Sequence, residues 1–254
     1  MSRVSVSGKS SIERARAGLL GFAGGVDEPS AEDLLRWSVA SFGGRLGLSV
    51  SFGNAEGVVL LDMLSRLTDP AGVRVFTIDT GFLFEMTRSY RREIVERYGV
   101  ALEVREPKLT VDQQAKRYGD KLFETDPDLC CGMRKTEPQR WALKDCDAWI
   151  SGIRRDQTPQ RAGTPYIGWE ERYDVVKVSP LAAWTAEDIQ DYVEERGIPL
   201  NPLLKKGYKS IGCEPCTRPV AGDEDPRAGR WSGTQKTECG LHFAGGKVGR
   251  GAVS

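Results

Sequence analysis

Apolar and polar positions follow two periods along this chain, and the switches between them mark its elements. Leu46-Gly47-Leu48-Ser49-Val50-Ser51-Phe52, residues 73–78, 100–104, 148–151 and 175–178 are short, β-branched-rich runs that predict strands. Between them apolar residues recur at helical spacing. Leu34, Leu35 and Trp37 predict a helix over 30–42, an apolar run from Val58 to Leu67 predicts the next, and Met86, Tyr90, Ile94, Val95 and Tyr98 predict one over 84–98. Ser30 with Asp33, and Thr185 with Asp188, are start signals, and Gly197 is a stop. Further helices are expected over 110–125 and from about 132 to 144, with Pro127 between them. Strand–helix alternation of this kind predicts an α/β fold: a doubly wound, mostly parallel sheet with helices on both faces.

Ligands of such sheets lie beyond the carboxyl ends of the strands, so the loops there are where chemistry is expected. Gly53-Asn54-Ala55-Glu56-Gly57 follows the first strand and opens a helix, which suits phosphate, although no G-K-[ST] follows it. Asp79-Thr80-Gly81 ends the second strand. Gly152 ends the strand at 148–151 and feeds a loop with Arg154, Arg155 and Arg161, a set that suits phosphate or sulfate.

Composition narrows the picture. Lysine and arginine number 36 and so do aspartate and glutamate, so no global charge points to nucleic acid or an anionic membrane. No apolar stretch is long enough for a membrane span. Residues 1–25 carry Arg3, Lys9, Arg14 and Arg16 against one acid, Glu13, as transit peptides do. Their apolar run, 18–23, is short and broken by glycine, so residues 1–29 are expected to be a poorly ordered arm. The α/β domain is expected over 30–216. Residues 217–254, rich in glycine and charge, are expected to be a mobile tail.

The six cysteines carry the chemistry. In a chain of 254 residues they read as cytosolic metal or redox thiols, not as a secreted disulfide framework. Cys130-Cys131 are adjacent, and Cys213-Glu214-Pro215-Cys216 is a C-x-x-C pair. Two pairs of thiols suit one [4Fe–4S] cluster per chain, each thiolate taking its own iron, and a four-cysteine zinc is the rival. Lys135 lies four residues after Cys131, on the same helical face, where it could neutralise a cluster or an anion. Cys239 stands in a glycine-flanked tail and reads as an exposed, reactive thiol. His242, the single histidine, is a candidate partner, and Cys146 reads as a small core residue.

Cys130-Cys131, Ile211-Gly212-Cys213-Glu214-Pro215-Cys216-Thr217-Arg218-Pro219 and Glu238-Cys239-Gly240-Leu241-His242 together resemble the iron–sulfur adenylyl-sulfate reductases of the APS/PAPS (adenosine phosphosulfate/phosphoadenosine phosphosulfate) reductase family. The resemblance implies a Rossmann-like sheet related to the ATP pyrophosphatases, with Ser51, Gly53 and Gly57 in a modified pyrophosphatase loop. It implies that Cys239 is the nucleophile on adenosine 5′-phosphosulfate (APS), and that thioredoxin or a similar dithiol then releases sulfite. It places Lys135, Arg161, Arg227 and Arg230 round the phosphosulfate, and Ile78 and Gly152 along the adenosine. The setting is sulfate assimilation in the cytoplasm, as a monomer or a homo-oligomer. APS-selective members are expected to carry serine and aspartate where this chain has Gly53 and Gly57, so a reductase of the 3′-phosphorylated nucleotide (PAPS), or of both, is the alternative. An ATP pyrophosphatase would need an intact Ser-Gly-Gly-x-Asp-Ser loop, absent here. An iron–sulfur sensor would have no use for Cys239.

Overall fold

The strands pair into one six-stranded sheet in the order β3-β2-β1-β4-β6-β5. They are β1 (Leu46–Ser49), β2 (Arg74–Ile78), β3 (Leu102–Arg105), β4 (Ala148–Ile150), β5 (Ile167–Glu170) and β6 (Val175–Val178). The computed structural model describes residues 28–67, 72–234, 236–238 and 240–241, together with 15, 17 and 18. All neighbours run parallel except β5, which pairs antiparallel with β6 at the edge, Ile167 opposite Val178. The expected mostly parallel α/β fold is the one observed. The β5–β6 hairpin was not expected: Tyr166 to Glu170 mixes glycine, aromatic and acidic residues and lacks a strand period.

The strand period sorts side chains onto two cores. On one face Leu46, Leu48, Val75, Ile150 and Val178 pack under the helices Ala31–Phe42, Glu56–Leu67, Glu85–Tyr98 and Ala186–Arg196. Their alternates Phe76, Trp149 and Val175 face the other way, against Ala142 and Leu143 of the helix Glu137–Leu143. Side chains such as Leu34, Leu48 and Leu60 are wholly buried, and each contributes about 1.5–3 kcal/mol relative to exposure. Ser30 and Thr185 cap their helices through reciprocal bonds with Asp33 and Asp188, as their spacing implies. The expected helix 110–125 is instead two, Val111–Tyr118 and Leu122–Thr125, parted at Gly119.

The order 2-1-4 places the switch point between β1 and β4, where chain connections leave in opposite directions and a crevice opens beyond the carboxyl ends. Two further features shape that crevice. The cysteine doublet lies inside a helix, Pro127–Cys131, capped by the Asp126 carboxylate and continuing through a π-helical turn, Gly132–Thr136, into Glu137–Leu143. Pro138 has no N–H for the carbonyl one turn back, which accounts for the widened turn before it. The stretch after Cys216, expected as tail, is packed at least to Trp231. Thr217 bridges to Arg230, the Trp231 N–H donates to the Cys216 carbonyl (3.1 Å), and Val220 and Trp231 are buried. Its irregular backbone hides this from apolar periodicity.

Candidate active site

Four thiols gather first. Cys130, Cys131, Cys213 and Cys216 border one cavity with Phe82, Phe123, Pro127, Arg134, Lys135 and Trp231. None of the described cysteines is in a disulfide. The Thr80 hydroxyl lies 3.2 Å from Cys213 Sγ, Gln114 Nε2 stands 3.9 Å from Cys130 Sγ, and Leu83 bridges to the Cys213 backbone. Burial, then the neighbouring thiols, push the Cys130 thiol up to about 11, and the same causes push Cys216 to about 12. Thiols so placed stay ionised only where a cation or a metal stabilises the thiolate. Two cations are built in. Arg134 donates to the Thr80 carbonyl (2.6 Å) and stacks over Phe82 at 4.8 Å, and burial lowers its pKa. Lys135, 8% exposed, faces Cys216 and the Trp231 ring, 5.8 Å away. Among the described residues no three His, Cys, Asp or Glu donors converge as the ligands of one metal ion do. The four thiols share a wall instead of a point.

Lys135, Cys213 and Trp231 also line a second cavity of about 580 Å³, at the β1/β4 switch point. All nine residues expected to bind the substrate, Ser51, Gly53, Gly57, Ile78, Lys135, Gly152, Arg161, Arg227 and Arg230, are on its wall. They arrive on six elements: the β1 loop, the end of β2, the turn after the doublet, the end of β4, the turn Pro159–Arg161, and the segment after the C-x-x-C pair. Phe52 turns the first loop with a φ of 56°, a costly conformation for a buried aromatic, held by Asn201 Nδ2 donating to its carbonyl at 2.9 Å. Asn54 then ties the loop to the cysteine segment, accepting from Ile211 N and donating to the Lys209 carbonyl, both at 3.0 Å.

The two first-loop glycines are crowded. A Cβ at Gly53 would stand 2.8 Å from the Ile211 carbonyl oxygen, and one at Gly57 would stand 3.1 Å from Val50 Cγ1. Neither leaves the room that a missing side chain suggests. Glu56, between them, is paired: Arg154 NH1 lies 2.5 Å from its carboxylate and Gln157 Nε2 donates at 2.8 Å.

The three arginines of the 154–161 loop separate. Arg154 and Arg161 line the cavity. Arg155 turns away to stack on Tyr166 at 4.8 Å and donate to the Thr164 carbonyl at 2.9 Å. Arg161 forms a two-pronged pair with Glu238, 2.9 Å from Nε and 2.7 Å from NH2, and Arg227 reaches the same carboxylate at 3.1 Å. Arg230 lies over the Trp231 ring at 4.4 Å, its Nε buried without a hydrogen-bond partner. Cys239 and His242 lie outside the described residues. Glu238 and Gly240 flank Cys239 in sequence, and the Gly240 carbonyl accepts from Arg172. Sequence reasoning missed Arg172, which sits in the turn of the unexpected hairpin, and Gln157, whose only signal is its place among the arginines.

The geometry has relatives. The phosphoadenosine phosphosulfate reductase domain matches residues 45–219. A chain from Halalkalibacterium halodurans named adenosine 5′-phosphosulfate reductase is 46% identical over 211 residues, which is 83% of this chain and 90% of that one. The crystal structure of phosphoadenylyl-sulfate (PAPS) reductase from Candida auris, a phosphate complex, superposes with a TM-score of 0.69 at 32% identity, covering 84% of this chain and 98% of that one. An FMN adenylyltransferase from Candida glabrata shares the fold alone, with a TM-score of 0.55 at 16% identity over 84% of this chain and 66% of that one. The chain belongs to the phosphoadenosine phosphosulfate reductase family.

Proposed function

We propose that this chain reduces adenosine 5′-phosphosulfate to sulfite and AMP, using a thioredoxin-like dithiol. The observation that carries this reading is the larger of the two cavities described, at the carboxyl edge of the sheet, lined by four arginines, a buried lysine and the modified first loop. The relatives named adenosine 5′-phosphosulfate reductase support the same nucleotide. Lys135, Arg161, Arg227 and Arg230 would hold the phosphosulfate, and Ile78 and Gly152 would take the adenosine. The Cys239 thiolate would attack the sulfur, the S–O bond to phosphate would break, and its electron pair would leave on AMP. This reaction needs positioning and neutralised charge more than proton transfer, because AMP is a good leaving group. A dithiol thiolate would then attack Cys239 Sγ, and sulfite would leave with the S–S pair. The second dithiol sulfur would close a disulfide and return Cys239 as a thiolate. The two electrons come from the dithiol, which places the reaction in a reducing compartment such as the cytoplasm.

Cys130, Cys131, Cys213 and Cys216 fit a [4Fe–4S] cluster, since three buried thiols and the half-buried Cys216 share one cavity with two cations. Such a cluster would supply a fixed charge and a rigid tie between the helix of the doublet and the C-x-x-C segment. Use of PAPS as well is a second reading, favoured by the state of Glu56: paired with Arg154 and Gln157, it offers little repulsion to a 3′-phosphate. Anaerobically purified protein, given APS or PAPS with a dithiol, should release sulfite from APS, and Cys239→Ser should abolish it. Without dithiol, mass spectrometry should find a sulfonate on Cys239. Sulfite production by the serine variant would rule the scheme out.

A further inference from the structure

Glu238 stands where an anion is wanted. Its carboxylate takes both prongs of Arg161 and one N–H of Arg227, and the Thr158 hydroxyl approaches it at 3.4 Å. Arg161 is 7% exposed and Glu238 9%, so the pair is dry and strongly coupled. A buried guanidinium cannot be left without an anion at acceptable cost, so whatever removes Glu238 must replace it. The two arginines are both on the cavity wall, and both belong to the set proposed above to hold the nucleotide's anionic group. Two guanidiniums facing one carboxylate leave a net positive charge, which a dianion satisfies better than Glu238 does.

The same segment is pinned at further points. Arg172 holds the Gly240 carbonyl, Arg227 NH2 holds the Thr237 carbonyl at 3.1 Å, and Lys236 pairs with Asp128, beside the cysteine doublet. The Thr237 carbonyl and the Glu238 carboxylate both share a partner with the nucleotide cavity, and of the two only Glu238 carries charge.

We propose that Glu238 is an internal competitor for the anion seat of Arg161 and Arg227, and that its exchange with an anionic nucleotide couples filling of the cavity to release of the segment carrying Cys239. Glu238 is thereby a positioning residue. Its carboxylate lowers the affinity for the nucleotide and, in return, ties the nucleophile's segment to an occupied site. By linkage, the charge that holds the segment must weaken nucleotide binding by the same factor. The identity of the incoming anion rests on the function proposed above, and the competition itself does not.

Calorimetric titration of the full chain with AMP, and with adenosine as the anion-free control, tests this. Glu238→Gln keeps the shape but sets an amide N–H against the guanidinium, so AMP should bind about tenfold more tightly, within the usual range of such couplings, while adenosine binding stays as in wild type. Glu238→Asp keeps the charge with a shorter reach and should gain less, so a folding defect in either variant is separable from the effect. In wild type, AMP should also speed iodoacetamide labelling of Cys239, read by mass spectrometry. AMP affinity that is unchanged or weakened in Glu238→Gln, or a gain shared by adenosine, overturns the proposal. Sulfite release from APS is read separately: a chain that made none, yet showed the AMP-specific gain, would lose the reaction and keep the competitor.

Discussion

The sharpest prediction concerns Gly53→Ser, which installs the residue expected in APS-selective relatives. The new Cβ would stand 2.8 Å from the Ile211 carbonyl oxygen, well inside the 3.4 Å at which ordinary contact begins, and 3.3 Å from Ile211 Cβ. The obstacle is backbone, and it cannot swing aside as a flexible side chain would. Ile211 is also bonded to Asn54 and lies two residues before Cys213. Overpacking of this kind costs about 1–3 kcal/mol. For a chain of this size that lowers Tm by about 2–4 °C per kcal/mol. The strain should pass to the cysteine segment, so iron content after anaerobic purification should fall together with Tm. Thermal unfolding and iron analysis of the variant beside wild type read both effects. A Tm within about 1 °C of wild type, with full iron, would show that the loop and the cysteine segment move apart freely, and the coupling through Asn54 would be refuted.

Three further outcomes follow from the same contacts. Cys213→Ser should lose the roughly four iron and four sulfide expected of a cubane, whereas Cys146→Ala, buried beside Arg74 on the far core, should keep them; one zinc and no sulfide in wild type would end the cluster reading. Arg230→Ala should lower kcat/KM for APS by about 1.5–3 kcal/mol if it makes a charge-assisted bond, and unchanged kinetics would return it to a packing role over Trp231. Arg74, and then Arg105, hold the Glu103 carboxyl below its usual range. Its stabilisation is therefore complete above the unfolded carboxylate pKa of about 4.3 and disappears as pH falls through the lowered folded value. Glu103→Gln should cost about 0.5 kcal/mol at neutral pH, given the half-exposed site, and nothing in strong acid; a cost independent of pH in urea titrations would contradict this.

The parts of this protein that repeat with a period were legible. Five strands and the capped helices stand within a few residues of their expected places, because burial on a sheet or helix face leaves a mark at every second or every third and fourth position. The four cysteines were found as a set because thiols are rare and paired in sequence. What stayed hidden has no period. β5 is an edge strand in which Gly168 and the half-buried Trp169 leave no clean alternation, although Ile167 and Trp169 pack on the core. Trp231 and Val220 are buried by an irregular segment whose backbone bonds, such as Arg218 N–H to the Gly229 carbonyl at 2.9 Å, leave no trace in composition. The pairing of Glu56 with Arg154 joins residues nearly a hundred positions apart, and only the fold brings them together.

The π-helical turn at Gly132–Thr136 sets a phase. It accommodates one residue more than a regular helix would over the same rise, so it rotates everything after it by about 100° relative to Cys130 and Cys131. Lys135, in the turn, and Gln139, after it, line the switch-point cavity with that offset in place. A single-residue deletion within the turn would take up the extra residue, leave both cysteines where they are, and swing the C-terminal half of the helix to a different side. Chimeras that join this helix to another chain's are therefore governed by residue count through the turn more than by sequence identity, and a graft one residue short would keep both cysteines in place while turning Gln139 away from the cavity.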